Sequence, residues 1–177
     1  MKLESKLKHA LKLGTKEALE EVYEDIYNEY YKLIYFIVIQ ILQDAYLAEE
    51  AVNDVFLKAF NNIDKFQEDT SLKSWIVKIA KNHSINIYNK NKRENVVIDE
   101  DYIMNIPNQE QTDFKELIKE FRQYLTVEET NIVLFRIYYQ MRLREIAEFY
   151  NSNTNDIYTI YQRALKILKQ HYKKGDF

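Results

Sequence analysis

Cysteine is absent from the 177 residues, which excludes disulfides and thiolate chemistry. Glycine occurs twice and proline once, so the chain has little material for tight turns and none for a glycine-rich phosphate loop. The three histidines are scattered, and the paired acids read as solvated helix faces or linker charge. An enzyme is the poorest fit to such a chain. The apolar run Leu33–Leu42 is too short to span a bilayer and reads as a buried helix. With no signal peptide visible, the expected location is the cytoplasm.

Leu, Ile, Lys, Glu, Ala and Tyr dominate what is present, the composition of a nearly all-helical protein. The expected fold is all-α, two small helical domains over 1–93 and 113–177 joined by a flexible linker over 94–112. That linker holds the one proline, Pro107, and shows no clear period. A formal net charge of −3 argues against tight binding of duplex DNA through bulk charge. The charge is uneven, however. Lys16 to Asp54 is strongly acidic, whereas Thr70 to Arg93 carries six basic residues and no acidic one.

In the basic stretch a helical period places Leu72, Trp75, Ile76, Ile79, Ala80, His83 and Ile87 on one side, the side a helix buries. The other side carries Ser74, Lys78, Lys81, Asn82 and Asn89, with Val77, Ile85 and Tyr88 among them. Lysines neutralise phosphates, amides pair with base edges and a ring stacks on an unpaired base, so this side suits a nucleic-acid strand. A solvated basic face partly covered by another helix has the same pattern.

Along the chain, a short amphipathic helix is expected up to Leu13, then a stop at Gly14 with Thr15 as N-cap. A tyrosine-rich helix follows to about Gln43, with Tyr27, Tyr30, Tyr31 and Tyr35 as packing residues. Asp44 caps the next helix, whose buried stripe is Ala48, Ala51, Val52, Val55, Phe56, Ala59 and Ile63. Its outer side offers Glu50, Asn53, Asp54, Leu57, Lys58 and Asn61, either a protein-docking surface or an ordinary solvated face.

After the linker, Thr126 and Glu129 have the spacing of a capping box. Arg142–Tyr150 reads as a short helix burying Leu143, Ile146, Ala147 and Tyr150, closed by a left-handed Asn151. Asn153 caps a longer helix with the inner stripe Ile157, Tyr161, Ala164, Leu165 and Leu168. Such a pair is a helix-turn-helix or a plain helical hairpin. In the first case its second helix presents Asn155, Asp156, Thr159, Gln162, Arg163 and Lys166 to a major groove.

In this order the segments resemble a bacterial sigma factor of the sigma-70 family, in the extracytoplasmic-function (ECF) group. AEEAVNDVFLKAFNNIDKF and SLKSWIVKIAKNHSINIYNKNKR are similar to the family's region two. LTVEETNIVLFRIYYQMRLREIAEFYNSNTNDIYTIYQRALKIL is similar to its region four. The resemblance implies a transcription-initiation factor that binds core RNA polymerase, directs it to promoters and assists opening, without covalent chemistry or a cofactor. It also implies that Asn53, Asp54, Leu57, Lys58 and Asn61 face core polymerase, and that Lys78, Lys81 and Asn82, with the loop from Phe66 to Ser71, face the minus-ten strand. Lys73 and Tyr88 complete that set, and Lys90, Lys92 and Arg93 fit phosphate contacts.

Several positions depart from the family pattern. Asn151 stands for the usual turn glycine, Ser152 for an apolar turn residue and Ile160 for a basic one, and about one extra turn lies near Glu20 to Tyr27. Asp156 opposes phosphate unless it caps its helix or accepts from a cytosine. An anti-sigma partner is left open by the sequence. The competing expectations are a stand-alone helix-turn-helix regulator of duplex DNA and a helical interaction module.

Overall fold

The computed structural model describes residues 3–66, 71–92 and 112–172, with the side chains of Lys92, Thr112 and Asp113 excepted. The chain divides into two compact units, Met1–Ile106 and Pro107–Phe177. Every element in the described residues is helical. The expected linker over 94–112 lies almost wholly outside them.

In the first unit, helix α1 spans Leu3–Leu13 and packs on α2 through Leu7 and Ala10, with Lys6 bonded to Asp25 at 2.6 Å. Gly14 ends it at φ +65°, the left-handed conformation that glycine enters without a Cβ penalty. Thr15 then caps α2, Lys16–Leu42, by accepting from the Ala18 amide. At 27 residues α2 is about 40 Å long. Every residue from Leu33 to Ile39 is buried. A helix apolar on all sides needs neighbours on all sides. Along α2 as a whole these are α3, α4 and, toward its start, α1.

Helix α3, Ala45–Asn61, is capped by Asp44, whose carboxylate accepts from the Leu47 amide at 2.9 Å. Its expected stripe is buried at every position, including Ile63 in the short 3-10 turn Ile63–Lys65 that follows. Tyr27 packs its ring on Phe56 and Tyr23 stacks on Phe60, which joins α2 to α3 at the rim. Tyr30 and Tyr35 are buried, and burial pushes the Tyr35 phenol well up.

Helix α4, Leu72–Lys92, starts at Ser71, whose hydroxyl accepts from the Ser74 amide at 3.1 Å. Its buried stripe is Leu72, Ile76, Val77, Ala80 and Ser84. This corrects the sequence expectation, since Trp75, Ile79 and Ile87 of the expected inner side are only half-buried and Ser84 is buried in their stead. Val77, expected among the outer lysines, is 5% exposed, and His83, expected at the centre of the inner stripe, lies at its edge. The physical reason is that α4 packs on both α2 and α3. Together they bury an arc turned round the helix toward Val77 and Ser84, which leaves His83 and Trp75 at its margin.

The second unit contains α5 (Thr112–Phe121), α6 (Val127–Ile137), α7 (Leu143–Tyr150) and α8 (Thr154–His171). The capping box at the start of α6 is complete: Thr126 Oγ1 accepts from the Glu129 amide at 3.2 Å, and Glu129 Oε2 accepts from the Thr126 amide at 2.9 Å. Glu129 through Phe135 are all buried, so α6 is the core helix of this unit. Phe114, Ile118 and Phe121 of α5, Ile146 and Ala147 of α7, and Ile157, Ala164 and Leu168 of α8 complete the core. Leu143, Tyr150, Tyr161 and Leu165 are half-buried at its rim.

Helix α7 ends as expected, with Asn151 left-handed at φ 51°. The Ser152 amide donates back to Ala147 O at 2.9 Å and the Asn151 amide to Glu148 O at 3.3 Å, a Schellman closure. Asn153 then caps α8 through the Asp156 amide at 2.8 Å. A three-residue turn, Asn151–Asn153, therefore carries one helix into the next.

Candidate functional surfaces

The first surface is the outer side of α3. Asn53, Asp54, Leu57, Lys58 and Asn61 are all exposed, and Leu57 leaves 59% of its area open. Tyr46 belongs to the same side and the sequence reading missed it. It is 70% exposed, three turns before Leu57, and its hydroxyl is tied to Glu50, which raises its pKa. The signal available was the 46-50-53-57 helical spacing, obscured because a tyrosine in a tyrosine-rich chain reads as packing.

His83 of α4 reaches this surface. Its Nδ1 lies 2.5 Å from Lys58 Nζ and its Nε2 lies 3.2 Å from Asp54 Oδ2. The neutral imidazole protonated on Nε2 satisfies both, since the ammonium donates to Nδ1 and Nε2–H donates to the carboxylate. Burial and the neighbouring Lys58 cation push the His83 pKa down and outweigh Asp54, which favours that neutral form.

The second surface is the side of α4 turned away from α2 and α3. Lys78, Asn82, Ile85, Asn89 and Lys90 are exposed, while Lys73, Lys81 and Tyr88 are half-buried beside them. Burial lowers the Lys81 pKa. No acidic residue occurs between Leu72 and Lys92, so this side has one sign of charge with an aromatic and amides set into it. At the start of α4, Trp75 packs on Phe66, ring centroids 5.7 Å apart, rather than offering itself outward. Residues 67–70 of the loop expected to face the minus-ten strand, the Lys92 side chain and Arg93 lie outside the described residues.

The third surface is the outer side of α8. Asn155, Asp156, Thr159, Gln162, Arg163 and Lys166 are all exposed. Three of them are already engaged within the unit. Asp156 Oδ2 accepts from Asn153 Nδ2 at 2.5 Å, so the carboxylate serves the cap. The Thr159 hydroxyl donates to Asn155 O at 2.9 Å. Arg163 Nε donates to Glu129 Oε1 at 2.8 Å. Tyr158, 51% exposed beside Asn155 and Gln162, is a member that the sequence reading left out.

Among the described residues no group of His, Asp and Glu is placed to hold a metal ion, and no helix is long and apolar enough to cross a membrane.

Residues 26–94 match the family model for Sigma-70 region 2. These are the residues that build most of α2, all of α3 and α4, and thus the first two surfaces. RNA polymerase sigma factor SigV of Bacillus subtilis is 29% identical over 133 residues, covering 73% of this chain and 78% of that protein. ECF RNA polymerase sigma factor SigM of the same organism is 22% identical over 148 residues, covering 80% of this chain and 90% of that protein. Among solved structures, the sigma factor RpoE of Bartonella quintana, crystallised with the anti-sigma factor NepR, shares the fold with a TM-score of 0.55 at 20% identity. That match covers 83% of this chain and 96% of the other. The chain thus matches Sigma-70 region 2 over residues 26–94 and is similar, across both of its units, to RNA polymerase sigma factors of the ECF group.

Proposed function

We propose that the three surfaces divide the work of a sigma factor among them. The outer side of α3, from Tyr46 to Asn61, docks on core RNA polymerase. The acid-free side of α4 receives the unpaired minus-ten strand, with lysines on phosphates and Tyr88 on a base. The second unit reads duplex DNA at the minus-thirty-five element as a helix-turn-helix, α7 supporting α8. An antagonist of the anti-sigma kind, such as the protein that holds the Bartonella relative, would compete for the same α3 side.

The observation that carries this reading is the placement of the α3 and α4 surfaces on one packed set of helices. Polymerase docking on α3 fixes where α4 lies, so the strand-binding side needs no affinity for duplex DNA of its own. That agrees with a net charge of −3 on the whole chain. Stacking an unpaired base contributes about 1–3 kcal/mol, enough to bias opening at a preferred sequence once polymerase supplies other phosphate contacts.

The test is run-off transcription from fragmented genomic DNA of the source organism with its core polymerase, with and without the protein. New discrete transcripts should require the protein and vanish with Asp54→Ala and Leu57→Ala combined. A symmetric duplex footprint by the protein alone, with no new start, would replace this reading with a stand-alone regulator.

A further inference from the structure

Helix α1 belongs to none of the three surfaces, and the family match begins only at residue 26, beyond it. A cleft of ≈ 490 Å³ opens between α1 and Phe66. That volume lies within the ~300–1,000 Å³ typical of sites for small molecules. Its lining includes Leu7 and Leu11, Lys8 and Lys12, and the ring of Phe66. Leu7 is fully buried, whereas Leu11 keeps 42% of its area open. Lys8 and Lys12, one helical turn apart, both belong to the lining and are both exposed. Glu4 lies toward the other end of the lining.

An apolar floor, an aromatic wall and two cations on the rim match the chemistry of an unpaired nucleotide: base against Leu11 and Phe66, phosphates toward Lys8 and Lys12. Continuity favours this occupant over a protein segment. Phe66 also packs on Trp75, at the start of α4, so the cleft adjoins the end of the acid-free strand-binding side. We infer that the cleft holds a nucleotide of the unpaired promoter strand, carrying the α4 track across Phe66 onto α1. This inference rests on the strand-binding reading of α4 and extends it to an element that the family match does not cover.

The test uses the full chain assembled with core polymerase on an opened promoter carrying a labelled non-template strand. The photoreactive residue p-benzoylphenylalanine is placed at Leu11 in one protein and at Ile85 of α4 in another. Both should cross-link to the labelled strand. Lys8→Ala with Lys12→Ala should lower the Leu11 cross-link several-fold and leave the Ile85 one unchanged. If Ile85 reaches the strand while Leu11 cross-links only to polymerase or within its own chain, the cleft belongs to a protein segment and the inference fails. If neither position reaches DNA, the strand-binding reading of α4 fails first and takes the cleft with it.

Discussion

Arg163 donates its Nε–H to Glu129 Oε1 at 2.8 Å, joining the outer side of α8 to the buried start of α6 across 34 positions of sequence. Glu129 keeps only 6% of its side chain exposed, while Arg163 keeps 63%. The same carboxylate closes the α6 capping box through the Thr126 amide. One buried acid therefore sets both the start of the core helix and the seat of the candidate recognition helix. Burial works to raise the Glu129 pKa, but the Thr126 bonds and Arg163 outweigh it and hold it below the ordinary value.

Glu129→Gln should therefore destabilise the second unit by about 1–3 kcal/mol, the usual cost of weakening a buried charged hydrogen bond. A carboxyl with a lowered folded pKa contributes stability above its unfolded value, and that contribution is lost as pH falls through the folded one. The gap between wild type and Glu129→Gln should thus be full at pH 7 and close in acid, read by urea unfolding across that range. A gap that persists once the carboxyl is protonated would show that shape, not charge, holds the pair.

Core packing distinguishes two isoleucines nine positions apart on α4. Ile76→Ala, at a fully buried site against α2 and α3, should cost the first unit about 2–5 kcal/mol. Ile85→Ala, at a site 36% exposed, should change stability by no more than about 0.5 kcal/mol. Thermal unfolding of the two variants side by side checks both, and equal losses would place Ile85 in the core.

Salt dependence probes the lysines of α4. In the polymerase-bound protein, Lys78→Ala should flatten the log–log salt slope for single-stranded promoter DNA by about 0.7, the contribution of one released counterion. Lys166→Ala should leave that slope unchanged, because its side chain belongs to the other unit. Fluorescence anisotropy over a salt series measures both.

His83 makes the first unit sensitive to mild acid. Its folded pKa is lowered, so the unfolded chain takes up the proton first, and stability is lost as pH falls through the ordinary histidine value of about 6.5 toward the folded one. His83→Gln should remove that part of the pH dependence, at a neutral-pH cost of about 1 kcal/mol from the altered bonds to Lys58 and Asp54. Parallel pH profiles of unfolding decide it; identical slopes would mean that the imidazole is protonated equally in both states.

Most of this architecture was legible in the sequence, because the chain has few glycines and marks its helix ends with side chains that have one obvious use. Thr15, Asp44, Thr126 and Asn153 were all read as caps and all accept an amide in the structure. The α3 stripe came out complete for a related reason: alanines, valines and a phenylalanine recur at i, i+3, i+4 spacing with polar residues between them. What one-dimensional periodicity could not show is how neighbours meet. Val77 looked outward until α2 and α3 were placed beside α4, and Arg163 looked like a free reader until α6 supplied Glu129. Tyr46 and Tyr158 were passed over because tyrosine is so common here that exposure, not identity, singles them out.

The close burial of Leu33–Ile39 also limits how α2 can change in length. Inserting one residue there would turn everything beyond it by about 100°, swinging side chains made for one neighbour toward another. Before Val22, where most residues of α2 face solvent, one added turn keeps the downstream register nearly intact. That end of the helix works like the lightly loaded end of a gear rack: added length leaves the α3 and α4 teeth engaged and shifts only the seat of α1, where Lys6 holds Asp25.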